Sequence, residues 1–224
     1  MVDASEQTIA FVDLAGFTAL TETHGDNAAA DLAEALVALA TAALGPTDQL
    51  IKSIGDAVML SATEPLAGIA LVQRLLAACY TTADFPLPRA GIHHGPVVAR
   101  GHDLFGGTVN LAARVASQAS GAQVLATTAV AQPARTEGIT VINLGSFVLR
   151  NVTDPVELFE LALYPPPEGG AIDPVCRMHV ERNSAAGRFR HAGTNYWFCS
   201  LRCAATLIEQ PARYTTSRDH DKHG

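Results

Sequence analysis

The sequence has no excess of basic residues. Lysine and arginine total 15 against 22 aspartates and glutamates, so the formal net charge is −7. Because nucleic acids and anionic membranes attract positive charge, this balance disfavours non-specific binding to either. Long apolar runs are lacking too, since stretches such as LAEALVALATAAL are interrupted by charge and too short to cross a bilayer. The opening MVDASEQ does not follow the pattern of a secretory signal. We therefore expect a cytoplasmic protein with no membrane span and no nucleic-acid partner.

Proline and glycine are concentrated at one point that divides the chain. The stretch YPPPEGG, residues 164–170, neither continues a helix nor belongs in a central strand. It separates a predicted medium domain, residues 5–163, from a small module, residues 171–214, and a polar tail follows at 215–224.

Before this linker, strand and helix patterns alternate. TIAFVDL predicts a strand ending at Asp13, IKSIGDAVML a hairpin, and RAGIHHGPVVAR a strand pair that turns near Gly95. Helices are predicted over DNAAADLAEALVALATAAL, PLAGIALVQRLLAACY and TVNLAARVASQA, and VINLGSFVLRNVTDPVELFELAL predicts two closing strands. This order indicates an α+β fold with helices on one face of a single sheet.

Cysteine is scarce, and its positions are uneven. Cys79 lies in an apolar helical pattern and is expected to be buried. Cys176, Cys199 and Cys203 crowd the last fifth of the chain. In a cytoplasmic protein, an odd cluster of this kind indicates metal or redox chemistry before disulfides.

Two aspartates are candidates for a metal site in the first domain. Asp13 ends the first strand and Asp56 occupies the hairpin turn, so neighbouring strands would bring both carboxylates to one edge of the sheet. Paired carboxylates suit Mg²⁺, and two such ions can serve phosphoryl transfer. The alternative is two solvated turn aspartates.

Four segments in order, FVDLAGFTAL, IKSIGDAVM, RAGIHHGPVV and DLFGGTVNLAARV, resemble the class III nucleotide cyclase catalytic domain over residues 8–162. The resemblance implies a ferredoxin-like βαββαβ sandwich that acts as a homodimer, with sites at the subunit interface. It also implies two Mg²⁺ or Mn²⁺ ions per site.

The resemblance assigns roles to individual positions on the phosphate side of the site. Asp13 and Asp56 match the metal-binding aspartates. Gly16, Phe17 and Thr18 form a turn whose N–H groups would hold phosphate oxygens.

The resemblance also assigns the base and transition-state positions. Lys52 and Asp103 match the base-recognition pair, whose donor and acceptor suit adenine rather than guanine. Asn110 would orient the ribose, and Arg114 would stabilise charge on the α-phosphate. The expected activity is conversion of ATP to 3′,5′-cyclic AMP and pyrophosphate. The alternatives are a guanylate cyclase and a non-catalytic metal-sensing protein on a dimerising pseudo-cyclase scaffold.

The segment after the linker, with DPVCRM and YWFCS, resembles a YHS domain, a small treble-clef-like metal module. Arg177 stands where that family commonly has glycine. Thiolates of the three cysteines would select Zn²⁺ or Cu⁺, and the module could then sense metal or redox state.

The ligand set of this module stays open at the sequence level. The fourth position could be open or filled by His179, Asp173 or water. Alternatively, the cysteines could pack against the aromatic run Tyr196, Trp197 and Phe198 without any metal.

Overall fold

One mixed sheet organises most of the molecule. The computed structural model describes residues 4–163 and 170–215, so residues 164–169 of the expected linker and 216–224 of the expected tail lie outside it. The eight strands of this sheet are β1 (Ala4–Leu14), β2 (Gln49–Ile54), β3 (Ala57–Ala62), β4 (Pro88–Arg100), β5 (Asp103–Phe105), β6 (Val124–Thr127), β7 (Val141–Phe147) and β8 (Val156–Leu161).

The predicted βαββαβ unit is present in the first half of this sheet. The strand order is β2-β3-β1-β4-β6-β8-β7, with β5 on the free part of β4. The accompanying helices are α1 (Phe17–His24), α2 (Asp26–Ala42), α3 (Pro65–Thr81), α4 (Gly107–Gln118) and α5 (Thr128–Thr136). The unit β1-α-β2-β3-α-β4 is thus extended by the elements that follow it.

Helices cover both faces of the sheet, and the expectation of helices on one face was incomplete. Strand residues alternate between faces. Ala10 and Val12 of β1 pack in the larger core with residues of α2, α3 and α5, whereas Ile9 and Phe11 pack against α4. The predicted strand pair turning near Gly95 is also wrong, because β4 runs unbroken through this residue.

Packing rather than a turn explains the glycine in β4. Gly95 pairs with Gln7 of β1. A Cβ at Gly95 would lie 2.9 Å from Thr108 Oγ1 of α4. That hydroxyl donates a hydrogen bond to the Pro96 carbonyl at 2.7 Å. The small residue therefore allows α4 to approach the strand closely.

Residues 170–215, called the C-terminal module below, form two hairpins and two helices. Their elements are β9 (Gly170–Ile172), β10 (His179–Glu181), β11 (Gly187–His191), β12 (Thr194–Phe198), α6 (Leu201–Glu209) and α7 (Pro211–Tyr214).

The C-terminal module packs directly on α1. Ala19 and Leu20 of α1 share one apolar cluster with Val175, Phe198 and Leu207 of the module. The backbone makes a further contact, a β-bridge between residues 86 and 178. In the described part of the chain, no helix combines the length and apolar character needed to cross a membrane.

Candidate active site

Two carboxylates meet at a cleft at the end of β1. Asp13 is the penultimate residue of β1, and Asp56 lies in the tight turn between β2 and β3, with Gly55 at φ 61°. The Leu14 N–H donates to the Asp56 carbonyl at 3.3 Å, which ties this turn to β1. Both aspartates line a cleft of about 740 Å³. The sheet therefore brings together the two residues that the sequence paired.

Arg89, which the sequence reasoning missed, forms a bidentate ion pair with Asp13. Its Nε lies 2.5 Å from Oδ1 and its Nη2 lies 3.0 Å from Oδ2. The two residues are cross-strand partners in the β1–β4 register. The first residue of RAGIHHG could have been singled out only if that register had been known.

The two carboxylates share the cleft with Arg89 and with two further arginines described below. Burial raises the pKa of the Asp56 carboxyl, and the nearby charge of Asp13 raises it further. The hydrogen bond to Asp13 is the main cause that raises the pKa of Arg89. Two carboxylates at one cleft offer the oxygen ligands that hard divalent cations take.

The turn before α1 borders the same cleft. Gly16 has φ 75°, a conformation that favours glycine, and precedes Phe17, the first residue of α1. Gly16, Phe17 and Thr18 all line the cleft. The free N–H groups of a helix N-terminus and its dipole favour anions there.

Two arginines of the C-terminal module also line the cleft, Arg177 and Arg213. A Cβ at Gly16 would lie 2.7 Å from Arg177 Cγ, and one at Gly121 would lie 3.6 Å from Arg177 Nε and from Nη2. The Arg177 side chain thus passes between these two glycines. Arg213 Nη2 lies 3.9 Å from Glu22 Oε2 on α1. Neither arginine was expected at this site.

Lys52 and Asp103 form a direct ion pair. Lys52 Nζ on β2 donates to both carboxylate oxygens of Asp103 on β5, at 2.9 and 2.7 Å. The carboxylate also accepts the Leu104 N–H at 2.8 Å. The lysine is the main cause that lowers the pKa of Asp103. The two expected base-recognition residues, 51 positions apart, therefore lie in contact.

Asn110 and Arg114 lie four residues apart on α4 and share a face of that helix. Asn110 is exposed and Arg114 is half-buried, whereas Ala112 and Val115 on other faces are buried. Neither residue lines the cleft, and Lys52 and Asp103 do not line it either. Within one chain, therefore, these four expected functional residues lie outside the cleft that holds Asp13 and Asp56.

A second constellation lies at the far end of α1. His24, its last residue, meets Cys176, Cys199 and Cys203 of the C-terminal module, and the four ligand atoms lie within 4.8 Å of one another. Hydrogen bonds from the Cys176 and Cys199 thiols, in that order, lower the pKa of Cys203. The cluster thus favours one thiolate.

Neither side chain that the sequence suggested as a fourth ligand is among the four ligand atoms that converge. The Asp173 carboxylate is fully buried and accepts the N–H groups of Val175 at 2.8 Å and Cys199 at 2.9 Å. Burial is the main cause that raises the pKa of Asp173. His179 lies against Gly170 in the β9–β10 hairpin. The residue among the cysteines is instead His24, which no motif indicated.

Residues 2–162 match the adenylate and guanylate cyclase catalytic domain, and the chain belongs to this family. The match stops before the C-terminal module. The matched range contains the cleft aspartates and the Lys52–Asp103 pair, so both lie in the cyclase catalytic domain.

Individual relatives narrow the comparison. A pH-sensitive adenylate cyclase of Mycobacterium tuberculosis is 35% identical over 162 residues, covering 70% of this chain and 41% of that protein. An adenylate cyclase of Streptomyces griseus is 36% identical over 118 residues, covering 52% of this chain and 29% of that protein. The chain therefore spans less than half the length of either relative. A solved adenylate cyclase of Trypanosoma brucei, in its monomeric state, has 26% identity and a TM-score of 0.65, covering 72% of this chain and 89% of that one.

Proposed function

We propose that this chain is an adenylate cyclase that converts ATP to 3′,5′-cyclic AMP and pyrophosphate. The observation that carries the proposal is the Lys52–Asp103 pair, an ammonium and a carboxylate at 2.7 Å. Adenine offers an acceptor at N1 and a donor at N6, which match these two groups. Guanine offers the opposite polarity at the same edge, so it would leave both groups unpaired. The relatives named as adenylate cyclases support the same choice.

In this reaction the ribose 3′-oxygen bonds to the α-phosphorus, the bond from that phosphorus to the β-phosphate oxygen breaks, and the hydroxyl proton is released. Asp13 and Asp56 would hold two Mg²⁺ or Mn²⁺ ions, which supply charge neutralisation and lower the pKa of the hydroxyl. The turn at Gly16 would bind the triphosphate. Arg114 would stabilise the charge that develops at the α-phosphate.

A homodimer would complete the site. The residues for metal and phosphate line the cleft, whereas Lys52, Asp103, Asn110 and Arg114 lie outside it. A two-fold dimer can bring one group from each chain together, and it builds two equivalent sites. Two apolar side chains near the Lys52–Asp103 ion pair are exposed and support this face as the interface: Ile54 is 52% and Phe105 is 47% exposed.

The C-terminal module is proposed to be a YHS-like metal or redox sensor attached to this enzyme. The supporting observation is that three cysteines and a histidine converge where the module meets α1. A regulatory metal at that junction would occupy a different site from the catalytic ions, which Asp13 and Asp56 would hold.

The direct test is cyclic AMP formation by purified full-length protein with ATP or GTP, in Mg²⁺ or Mn²⁺. The double variant Lys52→Glu, Asp103→Cys inverts the hydrogen-bonding sense of the base pocket. We expect ATP turnover to fall far more than GTP turnover. Undiminished ATP preference would refute the base assignment, and no cyclase activity in the wild type would favour a non-catalytic metal-sensing protein.

A further inference from the structure

We propose that His24, Cys176, Cys199 and Cys203 bind one Zn²⁺ ion that clamps the C-terminal module to α1. The Cys199 sulfur lies 3.3 Å from that of Cys176 and 3.7 Å from that of Cys203. His24 Nε2 lies 3.5 Å from Cys199 Sγ and 3.6 Å from Cys203 Sγ. A tetrahedron with Zn–S of about 2.3 Å and Zn–N of about 2.0–2.1 Å has edges of roughly 3.8 Å and 3.6 Å. The four donors already lie close to that shape.

The donor set favours zinc over the other uses of such a cluster. Three cysteines with one histidine form a common structural zinc set. A disulfide requires sulfurs about 2.05 Å apart and uses two of the three thiols, so it would leave the third thiol and His24 without a role. The three cysteines are free in this structure. A tetrahedral S₃N set suits Zn²⁺, whereas Cu⁺ selects soft sulfur ligands.

The surrounding backbone holds the ligands in place. The Asp173 carboxylate accepts the N–H groups of Val175 and Cys199. These bonds join the loop that carries Cys176 to the end of β12, where Cys199 lies. Ser200 caps α6 by accepting the Cys203 N–H at 3.1 Å. Outer partners of this kind orient metal ligands and raise affinity. The site is therefore prepared by the fold before metal arrives.

The zinc centre and the nucleotide cleft lie at opposite ends of one short helix. α1 starts beside the turn at Gly16 and ends at His24, eight residues or about 12 Å later. On the module side, Cys176 is followed directly by Arg177, whose carbonyl accepts the Leu87 N–H at 3.2 Å. Zinc would thus fix α1 from one side and the Arg177 backbone from the other.

This arrangement gives the metal a regulatory effect, a step that rests on the proposed cyclase function. Arg177 lines the cleft with Asp13 and Asp56. A guanidinium beside a phosphate-binding turn can pair with the outer phosphates of ATP. Zinc holds this arginine over the cleft, so loss of zinc weakens ATP binding.

The zinc site itself is tested without any activity measurement. Untagged full-length protein is loaded with zinc, its affinity is measured by competition with a chromophoric chelator, and its ligands are read from X-ray absorption. We expect three sulfurs and one imidazole nitrogen. His24→Ala should remove the imidazole signal and lower affinity by at least about tenfold. His24→Cys should retain zinc with four sulfurs.

The matched controls are His102→Ala, an exposed turn position far in sequence from the cluster, and His179→Ala, the histidine that the sequence suggested. Both should keep the wild-type absorption spectrum. An unchanged spectrum in His24→Ala, loss of the imidazole signal in His179→Ala, or a stable disulfide without bound metal would each overturn the proposal.

The clamp is tested by amide hydrogen exchange. Zinc should slow exchange across α1 in the wild type and have little effect there in His24→Ala. Equal exchange with and without zinc in the wild type would refute the clamp even if the metal binds. If zinc binds through His24 but no cyclic nucleotide is ever formed, the zinc centre stands and the cyclase proposal fails.

Discussion

Arg177→Gly should separate the folding role of this residue from its role in the cleft. Arg177 has φ 64°, in the left-handed region where a side chain costs about 1 kcal/mol relative to glycine. Glycine removes that strain and also removes the guanidinium from the cleft. We therefore expect the free energy of unfolding to stay within about 1 kcal/mol of wild type, and to rise if the relief of strain exceeds the lost packing.

ATP binding, in contrast to stability, should weaken in Arg177→Gly. A hydrogen bond to a charged group contributes about 1.5–3 kcal/mol when buried. The cleft is open to solvent, so about 1 kcal/mol is a suitable discounted value, or roughly a fivefold increase in the ATP KM. The contact serves the ground state and the transition state alike, so kcat should change little.

The assay is steady-state cyclic AMP formation across ATP concentrations, beside denaturant unfolding of the same samples. Ala192→Gly is the matched control, because Ala192 has φ 46° in the turn between β11 and β12 and does not line the cleft. Ala192→Gly should also relieve left-handed backbone strain, but it should leave the ATP KM unchanged. An unchanged KM in Arg177→Gly would refute the phosphate contact, and higher activity would mean that Arg177 obstructs the cleft.

Two further predictions concern the dimer and the core. Asp13→Ala and Arg114→Ala should each abolish or nearly abolish activity. Mixing the two variants should restore no more than about a quarter of wild-type activity, because half of the dimers carry one intact site. No recovery despite proven subunit exchange would contradict the shared site. Burial, then the charge of His94, lowers the pKa of His93 to about 4 from 6.5. As the pH falls below 6.5, His93 takes up a proton in the unfolded chain before it does so in the folded one. The free energy of unfolding should therefore be highest above about pH 6.5 and fall by about 2 kcal/mol towards pH 4. His93→Gln should flatten this fall, and a parallel fall in both proteins would exclude His93 as its cause.

Local sequence patterns predicted the elements that carry their own periodicity. The order of strands and helices and the strand that ends near Asp13 follow from such patterns, whereas the pairing of Lys52 with Asp103 was expected from the resemblance to the cyclase family. β6 was missed because four residues, VLAT, are too few to show alternation. α5 was missed because Pro133 lies inside it.

Long-range packing decided what the sequence could not indicate. His24 stands 175 positions before Cys199, and nothing near it resembles a metal motif. Its proximity to the cysteines depends on the docking of the C-terminal module against α1, where Leu20 and Phe198 share a core. A ligand contributed by another part of the fold cannot be found by reading spacings within one segment.

If zinc at His24 strengthens ATP binding through Arg177, nucleotide must strengthen zinc binding by the same factor, because coupling between two binding sites is reciprocal. The expected factor is about five, set by the roughly 1 kcal/mol assigned to the Arg177 contact. An ATP analogue that lacks the ribose 3′-hydroxyl cannot be cyclised, so both dissociation constants can be measured by titration. The analogue is titrated with zinc saturating or removed, and zinc is titrated with the analogue saturating or absent. Arg177→Gly should abolish the coupling while zinc remains bound at His24, since the ion keeps all four ligands. Equal zinc affinity with and without the analogue in the wild type would mean that the centre only holds the module in place and does not regulate the cleft.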